Sequence, residues 1–443
     1  MTTQPLTVHL FEITLDRSKA LGIELARIKQ RQYPPTGPEY LINLAIAANN
    51  QIHKDLVKKL STTAPLPLKP DRRTQIFLRD KTYLLSFLHT LMQCIEGAEI
   101  QNCPSTFIVP IRRMLERQLK RKGKSNFDFI VKSSRVYNYM IWSLDSRIRE
   151  VFLESGYANM VTKFPSPFFI IECPISEKRN LPIHCIFAHE VGHVWYQTSL
   201  LQRDLLPLVQ TARDTIQQKL KKSSWVEELV ADAVALCLFG PAFLFSSIYF
   251  SGPFCSMSDP SETHPPDGLR IEFMCMMLLS NYHQGGLGYR NYLDTSNLNY
   301  LLEWQSYAID SITTARFSRQ DRAMVSVMRR AFPHIMNGTK RLTAPYRYSG
   351  KDYVKDVPAL CENIANGIPP NEIITDFQRG VIMNVRAESI LNAGWSYLIS
   401  GDQRYAELLN CVDDKWKVTN RLFDLVSKGL EYSEMHSRWR NSV

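Results

Sequence analysis

The chain is short of several features, and each shortage excludes a class of protein. Its nine cysteines are odd in number, scattered, and never arranged as Cys-x-x-Cys. That argues against a disulfide framework or a cysteine zinc site, and for a reducing interior. The start, Met1-Thr2-Thr3-Gln4-Pro5, has no basic stretch followed by an apolar run, so no secretory signal is expected. No internal repeat and no low-complexity tract occurs, which removes solenoids and biased tails. Long apolar runs are scarce too. The one candidate, Ala233 to Phe250, is at the lower length limit for a bilayer span, is broken by Gly240-Pro241, and carries Ser246 and Ser247. A buried helix, a break and a second buried helix are expected there. The protein is expected to be soluble and cytoplasmic, with no integral membrane span.

What is present is concentrated at His189-Glu190-Val191-Gly192-His193. On a helix, residues four apart point the same way, so both imidazoles can grip one metal ion while Glu190 leans over a water beside it. Neutral imidazoles and a carboxylate suit zinc, which lowers the pKa of bound water from about 15.7 to about 7. Glu190 is then the expected general base. Ile183, Ile186, Phe187, Val191, Val194 and Trp195 surround the motif with apolar side chains, which places it on a largely buried helix with Pro182 near its first turn. Upstream, Phe168-Phe169-Ile170-Ile171 reads as a strand whose flanking Pro167 and Pro174 limit its pairing, and which could offer an extended peptide a place to lie.

The third ligand is expected from Trp225-Val226-Glu227-Glu228-Leu229-Val230-Ala231-Asp232. Glu228 and Asp232 share a helix face, so Glu228 can ligate while Asp232 accepts the outer N–H of a ligating imidazole. Glu227 points roughly a hundred degrees away and is the weaker candidate. Small Ala231 lets two helices approach. His264, before Pro265 and Pro266, sits on a stiff extended stretch. Cys185 and Cys237, on the two ligand-bearing helices, are expected to be small buried hydrophobes.

HEVGH followed by E-L-V-A-D resembles the gluzincin metallopeptidases, and the Glu-x-x-Ala-Asp form is similar to the HtpX and CAAX-prenyl-protease type. Thr263-His264-Pro265-Pro266-Asp267-Gly268-Leu269-Arg270 is similar to the His-Pro...Arg stretch of those enzymes. The resemblance spans roughly Phe164 to Leu279. It implies a zincin-like fold with one zinc per chain, His189, His193 and Glu228 as ligands, Glu190 as base, and His264 as a second catalytic residue near the metal, donating to the oxyanion or gating the site. Asp232 would then be the carboxylate behind the ligands, and Arg270 would anchor it. The several membrane spans of that type have no counterpart in this sequence. The ImmA/IrrE-type peptidases, which cleave repressor partners, also pair HExxH with a Glu-x-x-Ala helix, but show Asn where this chain has Asp232. A protein that keeps zinc only as a structural staple is the alternative outside enzymes.

The formal charge of +10 is partly local, with nine Lys or Arg between Ile111 and Val136 against Glu116 and Asp128. Such a stripe can meet nucleic acid, but no aromatic interleaving or recognition motif accompanies it, so a solvated helix face is the plainer reading. The expected fold is mainly α (α+β): a mostly helical region over 1–160, a zincin-like core with a small sheet over 161–287, and a helical region over 288–443. Helical spacing in the last recurs over Leu298–Ile312, Asp321–Ile335, Val381–Ile399 and Tyr405–Leu430, with Gly338 and Gly350 as separators and Gly285-Gly286-Leu287-Gly288 as a hinge. Trp304, Tyr307, Trp395 and Tyr397 could line a channel, although core packing is the commoner role. A protein or peptide substrate is the expected partner.

Overall fold

A computed structural model describes residues 5–33, 37–61, 68–99, 112, 115, 127–136, 138–177, 180–198, 224–251, 257–261, 263–376 and 381–442. The chain divides into two compact units, Met1–Ile108 with Glu116–Lys178, and Val109–Leu115 with Arg179–Val443. The strand over 168–174 therefore belongs to the first unit, whereas the histidine motif shares the second with everything C-terminal to it. Most of the basic stretch over 111–136, and all of 199–223, lie outside the described residues.

In the first unit, apolar residues spaced three and four apart build helices α1 (Leu6–Lys29), α2 (Gly37–Leu60) and α3 (Arg72–Gly97). Leu21, Leu25 and Ile28 face Leu41, Ala45, Ala48, Ile52, Leu56, Leu84, Leu88, Leu91 and Ile95 in one core. Asp71 starts α3 by accepting the Thr74 N–H at 2.8 Å. Strands β1 (Asp128–Ser134), β2 (Met140–Ser143) and β3 (Phe168–Pro174), with helix α4 (Asp145–Glu154) between the last two, complete the unit. The sheet order is β1-β3-β2, with β1 parallel and β2 antiparallel to β3, so that Ile170 faces both Ile130 and Trp142. The expectation of a strand with limited pairing is corrected here. β3 is central and buried along its whole length, because Pro167 precedes the paired run, Pro174 ends it, and the apolar residues between them can bury both faces. Neither edge of β3 is open to an added peptide.

The second unit starts from a short 3-10 turn (Leu181–Ile186) that leads into α5 (Phe187–Thr198), which carries the histidine motif. Helix α6 (Ser224–Phe239) is buried without interruption from Glu228 to Phe239, which is why its apolar residues show no single stripe. It ends at Gly240, whose φ of +62° is accessible to a residue without Cβ, and α7 (Pro241–Ser251) starts immediately after. Asn392 spans this break, donating to the Phe239 carbonyl at 2.8 Å and accepting the Ala242 N–H at 2.9 Å. The expected helix, break and helix are thus present. No helix among the described residues is long and apolar enough to cross a membrane.

Helices α8 (Asp267–Leu279), α9 (Thr295–Thr314), α10 (Arg319–Thr343) and α11 (Gly350–Ala365) follow, then the β4 (Glu372–Asp376) and β5 (Val381–Asn384) hairpin, α12 (Ala387–Ser400), α13 (Arg404–Leu408) and α14 (Lys415–Ser442). Several sequence expectations change here. Gly338 does not separate helices; it is buried inside α10, where packing overrides its weak propensity. Gly350 opens α11 behind Ser349, whose side chain forms a capping box with Asp352, and the internal Pro358 had hidden this helix. Residues 381–384 are strand rather than helix, and 405–430 is broken between α13 and α14. The glycine-rich stretch over 285–288 is a tied turn and no hinge: Gly286 N–H bonds Asn281 O, Leu287 N–H bonds Met277 O, and Gly288 N–H bonds Ser280 O. Trp395 and Tyr397 are core residues, and the Trp395 indole donates to the Pro182 carbonyl at 3.1 Å, anchoring the turn before α5. Tyr307 is exposed.

Candidate metal centre

Helices α5 and α6 bring the site together because they touch where their side chains are smallest. A Cβ built on Gly192 would fall 2.6 Å from the Ala231 Cα. This approach puts the ring nitrogens of His189 and His193 and the carboxylate of Glu228 within 4.8 Å of one another. Glu190 is on the same helix, one residue after His189, and partly exposed.

The outer edge of each ring settles its proton. His189 Nδ1 is 2.8 Å from Asp232 Oδ1, and His193 Nδ1 is 3.1 Å from Glu227 Oε1. Carboxylates only accept, so both Nδ1 atoms donate, and each ring, when neutral, presents a bare Nε2 lone pair to the interior. Those two Nε2 atoms stand 3.2 Å apart. Glu228 Oε2 comes within 3.3 Å of His189 Nε2, yet this buried oxygen has no hydrogen-bond partner among the described residues. Three electron-rich atoms facing one another in a dry site repel unless a cation sits among them. A proton serves when nothing else is there. Burial works against charge on His189, but Asp232 and Glu228 outweigh it and push its pKa up to about 10. Burial likewise opposes charge on Glu228, whereas the adjacent His189 and Arg270 bring it down to about 2. The residues fit a metal ion: three ligand atoms of the right types converge, one is orphaned, and two imidazoles are held in the ligating tautomer.

Arg270, from α8, fixes the back of the site. Its Nε donates to Asp232 Oδ2 at 2.8 Å and its Nη2 to Oδ1 at 2.7 Å, a two-point grip on a fully buried carboxylate. Burial alone would raise the Asp232 pKa; Arg270 first, then His189, hold it far below the usual carboxylate range. Asp232 is therefore an anion that orients the His189 ring.

His264 stands half-exposed at the mouth, with Nε2 3.4 Å from Glu228 Oε1. Burial first, with Arg270 and the histidines adding to it and Glu228 opposing, lowers its pKa from the ordinary histidine value. The prolines are only part of what positions it. Ser261 Oγ accepts the His264 N–H at 2.7 Å, the Ser224 hydroxyl donates to Thr263 O at 2.8 Å, and the Trp225 indole donates to Ser261 O at 3.3 Å. The loop is thereby strapped to the first turn of α6.

The structure thus brings together His189, His193, Glu228, Asp232, Arg270 and His264. It also adds Glu227, which sequence reasoning set aside for its angle. Its Oε1 takes the His193 proton and a hydrogen from Gln197 Nε2 at 3.1 Å. The available signal was the side chain's length, which reaches the second histidine from the flank of the face that holds Glu228. Cys185 and Cys237 are buried, and burial pushes their thiols up to about 12 and about 11, so they are poor nucleophiles. Comparison of the chain with protein-family models, curated proteins and solved structures gives no match.

Proposed function

We propose that the chain is a zinc-dependent metallopeptidase of the gluzincin kind, hydrolysing peptide bonds of protein substrates inside the cell. The observation that carries this reading is the 3.2 Å separation of two inward-facing Nε2 atoms beside a buried Glu228 oxygen without a hydrogen-bond partner among the described residues. Two nitrogens held about 2.05 Å from one tetrahedral zinc stand roughly 3.3 Å apart, so the spacing suits that ion. His189, His193 and Glu228 would hold it. Once bound, zinc supplies Lewis acidity toward a carbonyl oxygen and makes water acidic enough to ionise near neutrality.

The chain's own residues do the rest. Glu190, next to a ligand and partly open to solvent, takes the proton of the attacking water and hands it to the departing amine. Asp232 and Glu227 keep both rings in the ligating tautomer. Arg270 keeps Asp232 ionised. His264, at the mouth, offers an N–H toward charge that develops on the substrate oxygen. A location in the cytoplasm is supported by seven free thiols among the described residues, six of them buried.

The test is hydrolysis of a broad peptide library by wild type and by Glu190→Gln, with bound metal measured in both. Loss of cleavage with retained metal is the expected result. Metal-loaded wild type that cleaves nothing would reduce the site to a structural staple, and equal cleavage by both proteins would remove Glu190 as the base.

A further inference from the structure

Away from the metal centre, the turn after α8 and the segment between α10 and α11 border an open cavity of about 690 Å³. Tyr282, Asn291, Tyr292, Arg347, Ser349 and Lys351 supply most of its polar and aromatic lining, and no Asp or Glu among the described residues lines it. That volume suits a small molecule. Gly350 at its edge carries no side chain because the Tyr292 ring lies where one would go: a Cβ there would meet Tyr292 Cδ2 at 2.1 Å.

The charge around this cavity is unbalanced. Lys340, 7 % exposed, donates to the carbonyls of Tyr282 at 3.1 Å and Gly286 at 3.0 Å, with its ammonium 3.6 Å from the centre of the Tyr282 ring. Its protons are satisfied, but no carboxylate pairs with it among the described residues. Arg347 stands over the same ring at 5.2 Å, and neither it nor Lys351 has an ion pair among those residues. Asp352, the nearest acid in sequence, is occupied elsewhere: its Oδ2 accepts from Ser349 and lies 3.6 Å from Arg386 Nη1. Two cations therefore share one ring with no ion-paired carboxylate among the described residues, and Lys351 adds a third at the first turn of α11, where Asp352 is engaged by Ser349 and Arg386. Burial lowers the Lys340 pKa from the ordinary lysine value, with Tyr282 opposing and Arg347 adding to it.

We propose that this cavity binds a small molecule bearing an oxyanion, a phosphate or a carboxylate, gripped by Arg347 and Lys351 over the ring of Tyr282. The guanidinium offers a fork that matches either group. The residues beside Arg347 reach the helices of the metal centre. Tyr346 packs on Trp195 of α5, and the Tyr348 N–H bonds the Cys237 carbonyl of α6 at 2.9 Å. Cys237 is nine residues, roughly 14 Å of helix, from Glu228.

Calorimetric titration of the full chain with inorganic phosphate, phenyl phosphate and benzoate, each at matched chloride ionic strength, tests the site. Saturable one-to-one binding is expected for at least one of them. Phosphates binding alone identify a phosphorylated ligand, and benzoate binding alone identifies a carboxylate. Arg347→Gln is expected to weaken the bound probe about tenfold, Lys351→Gln to weaken it as well, and the double variant to abolish binding. The exposed Arg404→Gln is expected to change nothing. Oxyanions also ligate metals, so the titration is repeated in Glu228→Ala, where binding must persist. Thermal melts of each variant identify any that is misfolded, and Lys351, exposed on the surface, gives a readout should Arg347→Gln fold poorly. Three outcomes would overturn the proposal: no saturable binding of any probe at roughly 10 mM, undiminished binding in a folded double variant, or binding lost in Glu228→Ala.

Discussion

Gly192 lies against Ala231 with no room for a methyl group between them, and this contact sets the distance between the helix bearing the histidines and the helix bearing Glu228. Gly192→Ala is expected to force α5 and α6 apart. Overpacking of this kind costs about 1–3 kcal/mol. The melting temperature should fall, and zinc affinity should fall with it, because the ligand atoms separate. A variant that melts lower but binds zinc as wild type does would show that the contact serves packing alone.

Glu227 is expected to matter through His193. Glu227→Ala removes the acceptor for His193 Nδ1, and losses of this kind typically weaken metal binding about 10–100-fold. Competition with a chelating dye reads the change. Glu227→Gln, which still offers an oxygen acceptor, should recover part of the affinity.

How much of this was legible in the sequence follows from the range of each contact. His189, His193, Glu228 and Asp232 could be paired because four-residue spacing fixes a helix face whatever surrounds it. Glu227 could not, because its role depends on which neighbour lies beside that face. β3 was recognised as a strand from its apolar run, but its central place depends on β1 and β2, which are distant in sequence. The buried α6 and the break at Gly240 were readable from a glycine and a proline in succession. The extent of α10 and the existence of α11 were not, since Gly338 and Pro358 carry strong local signals that tertiary packing overrides.

Asp232 is fully buried, and Arg270 is its principal counter-charge. Arg270→Met is expected to leave an anion facing only the His189 ring and to destabilise the fold by about 3–5 kcal/mol, measured by urea unfolding. Adding Asp232→Asn should recover part of the loss, because the stranded charge is then gone. Additive losses in the pair would contradict the coupling.

Acid stability should report Asp145 in the first unit. Burial acts to raise its pKa, but hydrogen bonds from Ser143 at 2.5 Å, Ser166 at 2.6 Å and the Phe168 N–H at 3.3 Å outweigh it and leave the carboxyl more acidic than usual. A carboxyl more acidic in the folded chain stabilises it above the ordinary value of about 4, and that contribution is lost as pH falls through the lower folded value. Asp145→Asn is expected to be less stable than wild type at pH 7 and to show a flatter decline below about pH 4. Parallel acid limbs for the two proteins would exclude this role.

The account stands on a cation held jointly by His189, His193 and Glu228, so its most direct test is the metal content of the purified chain after zinc loading and desalting, measured by elemental mass spectrometry. One zinc per chain is expected in wild type and in Glu190→Gln, and close to none in Glu228→Ala or in the His189→Ala, His193→Ala double variant. A wild type that retains no divalent metal, or a folded Glu228→Ala that retains as much as wild type, would contradict it.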